Sequence, residues 1–192
     1  MKYMFYKAEK FDQPLNNWNV SNVTDMKYMF CRAEKFDQPL NNWERDDPTD
    51  PSTLVNVTDM KYMFNFATSF DQPLNNWNVS SVTNMKRMFF DTRKFDQDIS
   101  SWNVSNVTDM SKMFVGDLHN THDFNGDISS WNVSNVTDMS EMFKYAVDFN
   151  QDISSWDVSN VTDMNDMFFE ARDFDQDISS WNVSKVTDMS GM

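Results

Sequence analysis

Phe11, Phe36, Phe70, Phe95, Phe124, Phe149 and Phe174 recur at spacings of 25, 34, 25, 29, 25 and 25. That is a 25-residue period interrupted by one insertion of nine residues and one of four. All 16 methionines fall in two columns of this register and all 7 tryptophans in a third. A residue type held to one phase must meet the same surroundings in every unit, so the units stack on one another. The expectation is a repeat solenoid, a single domain over residues 1–192 of about seven units, with insertions near 44–53 and 115–123. Such architectures mostly present surfaces and seldom perform chemistry.

One unit gives the expected shape. Val161, Met164, Met167, Phe168 and Ala171 fall at i, i+3, i+6, i+7 and i+10, the spacing of one buried helical stripe. Ser159, Asn160 and Thr162 are N-cap candidates ahead of it, and Asp163 suits the positive end of a helix dipole. Ile153-x-x-Trp156-x-Val158 is short, β-branched and aromatic, and reads as a brief strand. The expected class is therefore an α/β repeat solenoid, a right-handed coil with one short parallel strand and one short helix per unit. Trp18, Trp77, Trp102, Trp131 and Trp156, with Met110 and Met113, are the expected structural core.

The motif Ile-x-x-Trp-x-Val resembles the Leu-x-x-Leu-x-Leu core of leucine-rich repeats. The whole unit, Phe-Asn-Gln-Asp-Ile-Ser-Ser-Trp-Asn-Val-Ser-Asn-Val-Thr-Asp-Met-Ser-x-Met-Phe, resembles the BspA-like leucine-rich repeat surface proteins of bacteria. Trp and Met stand in most of the leucine places. The resemblance spans nearly the entire chain and implies a curved solenoid used for adhesion or protein binding, extracellular or at the cell surface, with no catalytic residues to transfer.

Charge narrows the partner. The net charge is -14, and it is uneven: residues 1–96 carry 12 Lys+Arg against 13 Asp+Glu, while residues 97–192 carry 4 against 17. So acidic a second half argues against nucleic acid as partner. Cys31 is the only cysteine, so no intrachain disulfide can form. No apolar run approaches a membrane span, and direct membrane insertion of this segment is not expected. Met1 shares the repeat phase of Met26, and Met192 that of Met29. The sequence reads as a segment of a longer chain, making end-to-end contacts with further repeats or neighbouring subunits.

Several columns invite a functional reading beside a structural one. Asn16-Asn17, Asn41-Asn42 and Asn75-Asn76 give way to Ser-Ser pairs from Ser100-Ser101 onward, either polar ladders or a neutral face for carbohydrate or peptide. Thr24, Thr58, Thr83, Thr108, Thr137, Thr162 and Thr187 form an unbroken column. A threonine row suggests ice binding, but helix capping is the stronger expectation beside flanking aspartates. Asp25, Asp59, Asp109, Asp138, Asp163 and Asp188 suit capping better than calcium, which wants six to eight clustered oxygens. His119 and His122 form a His-x-x-His with Asp117 and Asp123 nearby, short of a third strong metal ligand.

Neither a metal nor a cofactor is expected, nor an enzyme: there is no nucleophile elbow and no phosphate-cradling glycine loop. The acidic insertion Glu44–Thr53 is a candidate contact loop. What varies between units is the segment after Met-Phe, and Tyr28, Tyr62, Arg87, Phe90 and Phe169 are the candidate partner-binding residues. The leading reading is a non-enzymatic protein- or glycan-binding module of a surface or extracellular adhesion protein. The alternative is a structural spacer or a subunit of a larger assembly.

Overall fold

The computed structural model describes residues 1–41, 43, 54, 56–116 and 122–192. The insertion at 44–53 lies outside them, as do Asp117 and His119 of the second insertion. Among the described residues there is no helix, and pairing of strand type is confined to isolated bridges. The α/β solenoid with a helix and a strand in each unit is thereby overturned. The described residues form a well-packed repeated domain in which turns alternate with irregular segments.

Hydrogen bonding explains the difference. In one unit Trp156 N donates to Ile153 O at 3.1 Å, Val161 N to Val158 O at 2.9 Å, Met167 N to Met164 O at 3.2 Å and Ala171 N to Phe168 O at 2.9 Å. Each is an i to i+3 closure, the bond of a β-turn rather than the i to i+4 bond of an α-helix. The apolar i, i+3 pairs are thus the two ends of successive turns. Asp166 and Glu170 adopt φ values of 51° and 57°, and the same two places in other units hold Tyr28 and Arg32, Tyr62 and Phe66, Arg87 and Asp91. A left-handed residue as third member of a turn gives type II geometry and stops a right-handed helix from propagating.

The amides left over are spent between units. Met26, Tyr28, Phe30 and Arg32 donate to the carbonyls of Asp59, Lys61, Met63 and Asn65 at 3.1, 3.2, 2.9 and 2.8 Å. Met60, Tyr62, Phe64 and Phe66 repeat the four rungs onto Asn84, Lys86, Met88 and Phe90. Parallel bridges join Asp25, Asp59, Asn84, Asp109, Asp138, Asp163 and Asp188 in sequence. The paired segment therefore lies where a helix start was expected, and Ile153–Val158, expected as strand, is turn.

Ring columns fill the interior. Phe5, Phe30, Phe64, Phe89, Phe114, Phe143 and Phe168 stack at centroid separations of 5.4 to 5.8 Å. Each also lies 3.9 to 4.2 Å from its own unit's second phenylalanine, as Phe143 does from Phe149. Trp77, Trp102, Trp131 and Trp156 are buried, as are Met110 and Met113, while Trp18 is half-buried. Burial leaves each indole N–H in need of an acceptor. Trp102 Nε1 donates to Leu74 O at 3.0 Å, and Trp77, Trp131, Trp156 and Trp181 make the same bond one unit back. Trp43 Nε1, in the unit carrying the nine-residue insertion, is buried without a partner.

His122 closes the unit that carries the four-residue insertion. Its ring is fully buried, with Nε2 2.9 Å from Phe89 O and Nδ1 accepting from Phe124 N at 3.2 Å. Both ring nitrogens are occupied by backbone, which fixes the tautomer with the proton on Nε2. Burial pushes the imidazole from its ordinary 6.5 down to about 4.

Three outcomes test this architecture. Trp102→Ala removes a buried ring from the middle of the stack and should cost about 3–5 kcal/mol, measured by denaturant unfolding; an unchanged midpoint would contradict the column assignment. Glu170→Gly replaces a left-handed, exposed residue by the one that tolerates this geometry freely, and should raise stability by about 0.5–1 kcal/mol. For His122 the folded state resists protonation, so its contribution is complete above pH 6.5 and is lost as pH falls toward 4. That loss should approach about 3 kcal/mol, and His122→Gln should flatten the pH dependence of unfolding across the same window.

Candidate functional site

Most polar columns turn out to be consumed by the stack. Thr58 Oγ1 donates to Thr24 O at 3.4 Å and Thr83 Oγ1 to Thr58 O at 3.2 Å, and the bond continues to Thr187. The threonines are cross-unit ties rather than helix caps. The aspartates hold turns: Asp109 Oδ1 accepts from Ser111 N at 3.0 Å and Ser111 Oγ at 2.7 Å, and Asp25, Asp59, Asp138, Asp163 and Asp188 each accept the amide two residues on. This is the Asx-turn, in which a side-chain oxygen stands in for a backbone carbonyl. The Asn-Asn and Ser-Ser rows are likewise tied across units, as by Asn41 Nδ2 to Asn75 Oδ1 at 2.9 Å and Ser130 Oγ to Ser100 O at 3.2 Å.

The variable segment behaves differently from these rows. One of its left-handed positions holds Tyr3, Tyr28, Tyr62 and Arg87 in the first half of the chain, and those side chains pile on one another. Tyr3 stacks on Tyr28 at 4.7 Å, and Tyr28 on Tyr62 at 4.5 Å with planes 12° apart. The guanidinium of Arg87 then lies 5.5 Å from the Tyr62 ring and 4.8 Å from that of Phe90. Arg87 Nε is buried and has no hydrogen-bond partner. Burial raises the Tyr28 phenol above its ordinary value, reinforced by the phenols of Tyr62 and Tyr3.

Four of the five candidate residues, Tyr28, Tyr62, Arg87 and Phe90, are therefore contiguous. Phe169 is not among them: it is exposed, meets Tyr145 edge-on at 5.7 Å and lies under Lys144 at 5.0 Å. The sequence reading passed over Tyr3, which is 47% exposed at the head of the stack. It also passed over Phe66, which lies 5.4 Å from Phe90 and beneath Arg32 at 4.8 Å. Repeat phase could have found both, since Tyr3 shares the column of Tyr28 and Phe66 that of Arg32. Two other members of the variable segment face inward. Cys31 is buried with Sγ 3.5 Å from Asn65 Oδ1, and burial pushes its thiol up to about 11.

The charges along this face change midway. Lys27 Nζ is 3.0 Å from Asp59 Oδ2, and that hydrogen bond raises its pKa. Lys112 is paired with Glu141 one unit on, and Lys144 with Asp166 at 2.6 Å. Burial opposes the charge on Lys144, but Asp166 and Glu141 outweigh it and the pKa is raised. Among the described residues, Lys61, Lys86 and Arg87 between these pairs take part in no ion pair. The same residues contain no grouping of three metal-ligating side chains and no helix long and apolar enough to cross a membrane.

The row offers aromatic edges and phenol hydroxyls beside cations that take part in no ion pair among the described residues. No curated protein and no solved structure matches the chain. A family model does, three times in succession, over residues 1–56, 49–119 and 117–192. With those matches running end to end, the chain belongs to the repeat family described as Mycoplasma protein of unknown function, DUF285.

Proposed function

We propose that the protein is a non-enzymatic binding module that engages a partner through the face carrying Tyr28, Tyr62, Arg87 and Phe90. The observation that carries this reading is the division of labour among columns. Threonine, aspartate, asparagine and serine rows are spent on bonds within and between units, while Tyr28, Tyr62, Arg87 and Phe90, at places that differ from unit to unit, gather as one aromatic and cationic row. Aromatic side chains and arginine dominate the energetics of protein interfaces. The absence of catalysis is supported by the fate of the reactive groups, since Cys31 and His122 are both buried and bonded internally. Adhesion at the cell surface belongs to the same proposal, on the resemblance to bacterial surface-protein repeats. The competing reading, a spacer or assembly subunit, draws on the four-rung junction that recurs between successive units, which makes a stiff array.

A combined Tyr62→Asn, Arg87→Asn and Phe90→Ser variant separates the two. Asparagine tolerates the left-handed backbone at the first two positions, so the stack should keep its melting temperature. Partner recovery after mild cross-linking in the native source should fall about tenfold, the scale of one lost hot spot. Recovery equal to that of the parent protein, with the same melt, would sink the binding reading in favour of the spacer.

A further inference from the structure

We infer that the partner is an acidic peptide segment, and that a single break in the aspartate column creates the site that receives it; this rests on the binding reading above. The column runs Asp25, Asp59, Asn84, Asp109, Asp138, with asparagine in one place only. In the unit before the break, Lys27 reaches the next unit's aspartate, Asp59, at 3.0 Å. By the same register Lys61 faces Asn84, which carries no charge. Asn84 does more than omit a carboxylate. Its Nδ2 donates to Asp109 Oδ2 at 3.3 Å, while Asp109 Oδ1 is taken by Ser111. Both oxygens of the carboxylate that Lys86 would meet by register accept hydrogen bonds from neutral groups, and Lys86 makes no ion pair with it. The substitution removes the carboxylate that Lys61 would meet by register, and Lys86 in the next unit is unpaired beside it.

Arg87 follows Lys86 in the same unit, its guanidinium 5.5 Å from the Tyr62 ring and 4.8 Å from that of Phe90, with its Nε buried and unpartnered. Stacking preorganises a guanidinium for a bidentate carboxylate and reduces what binding must spend on ordering it. The result is three unpaired cations on adjacent units in a chain of net charge -14. Aromatic chemistry narrows the anion further. The faces of Tyr28 and Tyr62 cover each other at 4.5 Å and 12°, so the rings offer edges and hydroxyls. Ring edges are electropositive and suit carboxylates. Sugar rings and nucleic-acid bases stack on open ring faces, and these are already used. A peptide with closely spaced Asp or Glu fits what remains.

The test is fluorescence anisotropy of a fluorescein-labelled ten-residue polyglutamate peptide at low ionic strength, with oligogalacturonate and oligo-dT as competitors. Saturable binding is expected, weakening as salt rises. Asn84→Asp restores the residue found elsewhere in the column, so the fold should be retained; it should re-pair Lys61, release Asp109 for Lys86 and weaken binding about fivefold or more. Lys61→Gln, Lys86→Gln and Arg87→Gln combined should weaken it at least about tenfold. Lys185→Gln, in the acidic half, should change nothing. No saturable binding, an Asn84→Asp protein that binds as the parent does, or displacement by oligogalacturonate or oligo-dT as effective as by unlabelled peptide would each overturn the inference. If polyglutamate fails while cross-linked recovery still depends on Tyr62, Arg87 and Phe90, the acidic partner falls and the binding module stands. If both fail, both readings fall.

Discussion

Everything in this structure depends on how the backbone amides around the two methionines are divided. Alternate amides close β-turns inside the unit, and the others reach a carbonyl in the next unit. A buried amide left unpaired would cost on the order of 1–3 kcal/mol, so neither half of the pattern can exist without the other. An isolated unit would leave four of its donors without acceptors, which is why the fold belongs to the array and not to the repeat. Most units hold a left-handed residue at two places, and non-glycine residues such as Tyr28 and Arg32 occupy them at about 60°. Each costs on the order of 1 kcal/mol or more. Cross-unit bonds and the phenylalanine columns offset that strain.

The register was legible in the sequence because chemistry forces it. Phe, Trp and Met cannot leave their phase without leaving the core, so the columns follow from spacing alone. The local conformation was not legible, and the reason is a degeneracy. Apolar residues at i and i+3 mark one face of a helix, but they equally mark the two ends of a β-turn, and a string of such turns reproduces i, i+3, i+6, i+7 closely. What separates the two is the sign of φ at positions such as Tyr28, Arg32 and Glu170, whose side chains carry no left-handed signature. Only Gly191, at φ 69° in the column of Asp166, hints at the requirement. The same misreading made helix caps of threonines that tie units together and of aspartates that hold turns.

The candidate site was legible to the extent that it followed from register. Tyr28, Tyr62 and Arg87 share one phase, so adjacency in space was implied by stacking, and Phe90 falls three residues further in the same unit. Phe169 satisfied the same rule of variability yet stands apart, because the units between it and Phe90 place Val115 and Lys144 in that column. Variability marks a column as free of packing duty; it does not make that column continuous. Pairing of the lysines was invisible without the structure, since it links a residue in one unit to a carboxylate in the next.

A one-dimensional stack turns small changes of sequence into local changes of surface while leaving the body intact. Replacing one aspartate of the bridging column by Asn84 keeps the Asx-turn, because an amide oxygen accepts from Lys86 N at 3.1 Å as a carboxylate would. It keeps the backbone bridges on both sides as well. What it changes is the charge that faces the neighbouring lysines and one side-chain donor, the Nδ2 that reaches Asp109. The columns that build the array and the residues that distinguish its face are therefore coupled through a few carboxylates. Surface identity along such a chain is set as much by which cations are neutralised from the next unit as by which cations are present.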